Sequence, residues 1–441
     1  MKTVFITSFH PLISRNILAT ALIERLTARG DIRVVVIAPE GKREFFQDEF
    51  GARGAVLEFV AVSLTRRDLF LRYLSLAFLQ TTTLRLKRKT EMRGSGAWLA
   101  KFAANRTVTR RLLRQCSTLL TPTQAFKKLF DRYRPDLIFS TDVQNEQDLR
   151  LMHAARRRAV RVLGMVRSWD NLTSKGLLRV IPDRLIVHNG IVQREATTLH
   201  GVPEERICVV GIPHYDAYAT GARRSRNEFY ASIGAEPQKR LVLCAPAGNR
   251  YIRHNTVDAD VVRFLDTILG PEYAILVRMP PTDEASGFED LAREGRIILD
   301  RPAKRFRVPK KAELSAEDDA HLADTLWWCT AVVTGPSTLM IDAAFFDRPV
   351  VLVGFDGDEE RPYLESIRRY YDYDHVQPVL RSDGVRLAKT KEELATELRA
   401  YLLCPERDRD GRRRIVAEEC FAADGKSTER LARAILGELS V

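Results

Sequence analysis

The sequence has no apolar run that approaches the ~20 residues a membrane-spanning helix needs. Its opening apolar stretch, Val4 to Phe9, is short and interrupted by Thr and Ser before His10 and Pro11. A secretory leader would need a longer apolar core and a small-residue cleavage site, so a buried first strand is expected instead. Cysteine is sparse: six residues, at 116, 208, 244, 329, 404 and 420, with no Cys-x-x-Cys pair. A disulfide framework and a cysteine zinc site are both excluded, and reduced thiols in a cytoplasmic chain are expected. Acid is scarce in one place. Residues 62–134 hold 17 Lys/Arg against three Asp/Glu, a balance of +14 that exceeds the +12 of the whole chain. Such a segment suits a surface that faces something anionic.

What is present is ordinary globular material: 45% hydrophobic and 29% charged residues over 441 positions, too long for one core and natural for two domains. Short β-branched runs alternate with helix-length amphipathic runs. Strands are expected at Thr3–Phe9, Arg33–Pro39, Ala55–Ser63, Asp136–Thr141, Arg161–Ser168, Arg184–His188 and Arg206–Ile212. A second set is expected at Leu241–Pro246, Ala274–Met279, Arg296–Leu299, Ala331–Thr334, Pro349–Phe355 and Gln377–Leu380. Continuous apolar strands separated by helices indicate parallel sheets, and hence two doubly wound α/β domains facing a cleft. The expected boundaries are 1–213 with a basic insertion at 64–120, a linker at 214–227, a second domain at 228–425, and a last helix at 426–441 that packs back. In the insertion, Arg66–Gln80 is apolar with basic flanks, Arg85–Arg93 is a basic run, and Trp98–Leu113 has the spacing of an amphipathic basic helix.

The densest motif is Thr334-Gly-Pro-Ser-Thr-Leu-Met-Ile-Asp342, read as strand, tight turn and helix. Gly335 and Pro336 shape the turn, and Ser337 or Thr338 caps a helix whose first N–H groups can meet a phosphate. A plain cap that binds nothing is the competing reading. Cys244-Ala-Pro-Ala-Gly-Asn-Arg-Tyr251 closes a strand. There Gly248 permits close backbone approach, Asn249 follows it, and Arg250 can pair with a diphosphate; a surface turn is the alternative. Gly354-Phe-Asp-Gly-Asp-Glu-Glu-Arg361 places carboxylates, Asp358 among them, where they can meet sugar hydroxyls, hold a metal as Asp-x-Asp, or stay solvated.

Four stretches carry a family resemblance: Val209-Val-Gly-Ile-Pro-His-Tyr-Asp216, Ala274-Ile-Leu-Val-Arg-Met-Pro-Pro281, Thr334–Asp342 and Arg348-Pro-Val-Val351. With them the chain resembles GT-B glycosyltransferases, especially bacterial cell-surface polysaccharide enzymes and the related CDP-glycerol glycerophosphotransferases. The resemblance implies that Ser337 and Thr338 hold donor phosphates, with Arg278 near them and Gly335 and Asp342 in the same donor set. It also implies that neither metal nor cofactor is required. Relatives often place His in an Arg-x-His-Pro strand end, where this chain has Pro280-Pro281.

An inverting transferase needs a base to take the acceptor proton. The candidates at strand ends are Asp142, Asp170 and His10, in that order. Ser168, Trp169 and Asn171 are candidate acceptor contacts, since Arg167-Ser-Trp-Asp-Asn-Leu-Thr-Ser-Lys-Gly176 is dense in polar groups directly after a strand. A cap or turn role is the bland alternative for each. The expected function is transfer of a sugar from a nucleotide sugar to a surface glycan or lipid-linked acceptor at the inner face of the membrane. CDP-glycerol transfer, UDP-GlcNAc 2-epimerisation and a non-enzymatic basic adaptor are the alternatives. The basic insertion reads as a solvated face, a contact with an anionic membrane surface, or, least favoured because no binding module is present, a nucleic-acid surface.

Overall fold

The computed structural model describes residues 1–90, 107–249, 252, 255–281, 283, 287–302, 304–306 and 311–440. The chain divides into two compact units, Met1–Asp216 together with Glu419–Val441, and Ala217–Glu418.

The first unit is built on a seven-stranded sheet. Its strands are β1 (Lys2–Thr7), β2 (Ile32–Pro39), β3 (Val56–Val60), β4 (Leu137–Ser140), β5 (Arg161–Met165), β6 (Arg184–Val187) and β7 (Ile207–Val209). They lie in the order β3-β2-β1-β4-β5-β6-β7, every neighbour parallel. Runs such as Val4-Phe5-Ile6 and Val34-Val35-Val36-Ile37 are buried at consecutive positions, as a sheet covered on both faces requires. The last helix, Ser427–Ser440, belongs to this unit. Its Glu438 binds Arg184 at 3.1 Å, and its N–H groups at Ser427 and Thr428 donate to Asp216.

The second unit carries a six-stranded parallel sheet of β8 (Arg240–Ala245), β9 (Tyr273–Arg278), β10 (Ile298–Asp300), β13 (Cys329–Thr334), β14 (Val350–Val353) and β15 (Arg386–Ala388), in the order β10-β9-β8-β13-β14-β15. A small antiparallel hairpin, β11 (Lys304–Phe306) with β12 (Lys311–Glu313), stands apart from it.

One expected strand is wrong. Gln377–Leu380 lies in a helix, Gln377–Arg381, with Pro378 in its first turn. Proline lacks an N–H for a ladder and is pre-shaped for a helix start. The sixth strand is instead β15, whose Arg386 and Leu387 pair with Val351 and Leu352. The connector expected at 214–227 is not open chain: it contains 3₁₀ turns at Pro213–Asp216 and Tyr218–Thr220 and the start of a helix at Arg226. Of the insertion, helices Arg66–Phe78, Thr82–Thr90 and Thr107–Leu120 are described; the expected start of a helix at Trp98 lies outside the described residues.

In each sheet the strand order reverses at one place: between β1 and β4 in the first, between β8 and β13 in the second. Ligands of open parallel sheets bind beyond the carboxyl ends of the strands at such a reversal. The residues singled out from the sequence gather there. His10 and Asp142 follow β1 and β4, while Gly248–Asn249 and Gly335–Thr338 follow β8 and β13.

Candidate functional site

In the second unit, two strand-end loops press together. A Cβ on Gly335 would come within 3.1 Å of the Ala247 methyl group. Thr334, the last residue of β13, donates its hydroxyl to Ala245 O at 3.0 Å and ties the two strand ends. Ser337 Oγ accepts the Leu339 amide at 3.3 Å, so Ser337 does the capping. Thr338 stands at the formal cap position of helix Leu339–Phe345, makes no capping bond with its side chain, and is exposed. Its hydroxyl is thus presented beside the helix start, at the reversal of the sheet.

The loop after β8 is held from below by carboxylates. Asp258 accepts the Ala247 and Gly248 amides at 2.9 and 2.8 Å, and Asp283 accepts the Asn249 amide at 2.7 Å. Burial pushes the Asp258 carboxyl up from its ordinary range against these amide bonds, which hold it down. Three consecutive N–H groups of this loop therefore already face anions of the protein itself. Gly248 sits at φ +83°, and a Cβ there would lie 2.2 Å from Asp283 Oδ2 and 2.9 Å from Pro280. The close approach that the glycine permits is to Asp283. Gly248→Ala is accordingly expected to lower the stability of the second unit by about 1–2 kcal/mol from the left-handed backbone alone, measured by denaturant unfolding.

The remaining donor candidates are placed as follows. Arg278 is buried, ion-paired with Asp300 on the neighbouring strand end, and donates to Asp318 O at 3.3 Å. Asp300 also meets His321 at 3.5 Å; although burial pushes its carboxyl up, His321 and Arg278 together hold it below the usual range. Asp342 is buried in its helix and accepts the Tyr218 hydroxyl at 3.2 Å. Asp358 is exposed and paired with Lys391 at 2.6 Å. Arg250 lies outside the described residues. Gly335 and Thr334 thus meet Ala247 and Ala245 of the neighbouring strand end, while Arg278, Asp342 and Asp358 are each engaged by partners of their own.

In the first unit, Asp142 is buried and neutralised: Arg167 Nε donates to it at 2.8 Å and Asn171 Nδ2 at 3.4 Å. Asn171 is fully buried and braces this pair rather than facing solvent. His10 has a pKa lowered to about 2, first by burial, then by Arg167, Lys175 and Lys42, so the ring is neutral. Its Nδ1 accepts the Leu12 amide at 3.2 Å, which places the ring proton on Nε2. That nitrogen donates; it cannot serve as the base expected of it. Asp170 is half-buried, accepts the Ser174 hydroxyl at 2.9 Å, and stands in a row with the half-buried Ser168 and Trp169. Of the two candidate carboxylates it is the more exposed.

Sequence reasoning missed Asp148. It lies in the first turn of helix Glu146–Arg156, fully buried, accepting from Thr7 and Ser140 hydroxyls beneath the reversal of the first sheet. Burial, with Asp142 adding to it, pushes its carboxyl up to about 8. An acidic residue one turn into a helix is ordinarily a solvated partner of the helix dipole, so nothing in the sequence marks this one as buried.

The sequence pattern described as CDP-Glycerol:Poly(glycerophosphate) glycerophosphotransferase matches residues 152–437, spanning β5 through the last helix and both strand-end loops of the second unit. The chain belongs to this glycerophosphotransferase family. No curated protein sequence matches it. Solved structures do, along their whole length. UDP-GlcNAc 2-epimerase from Neisseria meningitidis, bound to UDP-GlcNAc, is 9% identical with a TM-score of 0.58, covering 99% of this chain and 100% of that one. The 2-epimerase from Methanocaldococcus jannaschii is 13% identical with a TM-score of 0.56, at 99% and 100% coverage. The wall teichoic acid polymerase TagF, soaked with CDPG, is 13% identical with a TM-score of 0.52, covering 100% of this chain and 88% of TagF. At these identities the likeness establishes the fold alone, a two-unit α/β architecture of the GT-B type. The family match makes this glycerophosphotransferase relative a transferase.

Proposed function

We propose that the chain transfers a group from a nucleotide diphosphate-linked donor to a hydroxyl of a cell-surface polymer or its lipid-linked precursor, with a nucleotide sugar as the donor. The observation that carries this reading is the capped helix start at Gly335–Thr338, whose Gly335 lies against Ala247 at the reversal of the second sheet. In this reading Thr338 and Ser337 hydroxyls and the first amides of helix Leu339–Phe345 hold the diphosphate and stabilise it as it leaves. The Neisseria epimerase and TagF, whose structures carry nucleotide-linked compounds, support a donor of that class. In the first unit Asp170 takes the acceptor proton. His10, neutral and with its proton on Nε2, donates to the acceptor oxygen or an attached anionic group. The acceptor oxygen forms a bond to the donor's sugar carbon, the bond to the diphosphate oxygen breaks, and the nucleotide diphosphate departs with the electron pair.

The sugar is favoured as the transferred group because Pro280-Pro281 replaces the histidine of the Arg-x-His-Pro pattern at the end of β9. Glycerol phosphate from CDP-glycerol is the second reading, favoured by the family match. Calorimetry with UDP, GDP, CDP and CMP tests the donor site. One of them is expected to bind the wild type, and Ser337→Ala with Thr338→Ala to weaken it at least about tenfold, from loss of two hydrogen bonds to a charged group. Equal binding in the double variant would remove the loop from the donor site. Turnover of CDP-glycerol in preference to every nucleotide sugar would give the second reading the field.

A further inference from the structure

We infer that Asp148 is a positioning residue, a buried carboxylic acid that ties the carboxyl ends of β1 and β4 together and so holds the loop carrying His10. The backbone ladder between these strands runs out at Ile6 opposite Phe139. Beyond it, side chains supply the rungs. Thr7 Oγ1 accepts the Thr141 amide at 2.9 Å, and Thr141 Oγ1 donates to Thr7 O at 2.9 Å. One oxygen of Asp148, Oδ1, then accepts from both strands: from the Thr7 hydroxyl, and from the Ser140 hydroxyl at 2.9 Å. Thr7, Ser140, Thr141 and Asp148 are all fully buried. His10 comes three residues after Thr7, and Asp142 two after Ser140. The strands part here, at the reversal of the sheet, and the acid is bonded to both.

The surroundings decide the protonation state. Asp148 Oδ2 closes no hydrogen bond among the described residues. Ionisation would place a full charge on a group with one oxygen out of reach of water and of any closed hydrogen bond, facing Asp142, a charge of the same sign. The Thr7 and Ser140 hydroxyls, the Asp142 amide and the start of helix Glu146–Arg156 favour the anion, and burial outweighs them. The group is therefore a neutral acid at pH 7 and ionises near pH 8. Ionised, it pushes against Asp142 from the inside of the junction, and the ends of β1 and β4 must give. His10 registers that movement, because its ring is faced by Arg167 after β5, Lys175 and Asp170 in the following loop, and Lys42 after β2. The ring itself stays neutral throughout this range, so it reports its surroundings and not its own titration.

NMR of the full chain, with ¹³C-labelled aspartate and histidine, tests this without donor or acceptor. Between about pH 6 and about pH 10, one carboxyl should titrate near pH 8 and be absent from Asp148→Asn. The His10 ring signal, assigned by its loss in His10→Gln, should shift through the same midpoint. In Asp148→Asn that shift should disappear, since the amide keeps an acceptor for Thr7 and Ser140 and cannot ionise. Ser140→Ala removes a bond that favours the anion and should move both midpoints upward together. In turnover, kcat of the wild type should fall about tenfold per pH unit above the midpoint, and Asp148→Asn should lack that fall. The turnover arm rests on the proposed transfer and the His10 arm does not, so the two readings can fail separately. A His10 signal that stays flat through the Asp148 midpoint would overturn the proposal. So would the same His10 shift in Asp148→Asn, which would assign it to Lys42 or Lys175, or a carboxyl already ionised at about pH 6.

Discussion

Lowering the pH from about 7 to about 5.5 is expected to destabilise the first unit strongly while the second keeps its protection. All five histidines of the first unit are held neutral. Burial is the leading cause for each, lowering His10 to about 2, His153 and His200 to about 3, His188 to about 4, and His214 well below 6.5. An unfolded chain protonates each near 6.5, so it binds more protons than the folded unit below that pH. The stability is present above pH 6.5 and is lost as the pH falls through it. Each group contributes about 1.4 kcal/mol per pH unit. Asp148 acts in the opposite sense. With a folded value near 8 it keeps its proton when the unfolded carboxyl, near 3.8, has lost it, so it favours folding more as the pH falls. Four net protons remain, or roughly 5 kcal/mol per pH unit at full slope, comparable with the whole stability of a domain. Hydrogen exchange resolved by peptide should show the first sheet opening first as the pH falls. His153→Gln, which preserves a partner for Ser117, should reduce the slope by one proton. Parallel loss of protection in both units would contradict this account.

The strands were legible because a parallel sheet buried on both faces writes itself as uninterrupted Val, Ile and Leu runs, and twelve such runs lie where they were expected. Gln377–Leu380 failed because a four-residue apolar stretch has no period of its own. The true strand, Arg386–Ala388, is too short to stand out. Gly335–Thr338 was found by local chemistry, a turn followed by a hydroxyl pair and an apolar helix. What sequence could not reveal was partnership across long separations. Asp258 and Asp283 fill the loop amides beside Gly248, Arg167 neutralises Asp142 from 25 residues away, and Leu12 sets the tautomer of His10. Each pairing turns a residue that looked reactive into one that is already satisfied, and each depends on how strand ends meet in space. Asp148 is the converse, a residue of ordinary appearance made unusual by burial.

These pairings predict opposite outcomes for two aspartates, Asp142, which is paired with Arg167, and Asp170, three residues after it. Asp142→Ala removes the anion opposite a buried guanidinium. Arg167, 6% exposed at its side chain, would be left uncompensated, and breaking a buried pair in this way costs about 3–5 kcal/mol. The variant should therefore lose much of its folding stability, and any loss of turnover should follow from the fold. Asp170→Ala should do the reverse. Its carboxylate is half-buried and accepts the Ser174 hydroxyl, so denaturant unfolding should shift by less than in Asp142→Ala. Turnover should fall by about two to four orders of magnitude if it takes the acceptor proton, with donor affinity unchanged if, as proposed, the second unit holds the donor. The pH profile separates the two further. Loss of the base removes the rising limb of kcat, whereas a fold defect lowers the profile without changing its shape. If Asp142→Ala keeps full stability and loses the rising limb, while Asp170→Ala stays active, Asp142 is the base and its pairing with Arg167 must open when the acceptor binds.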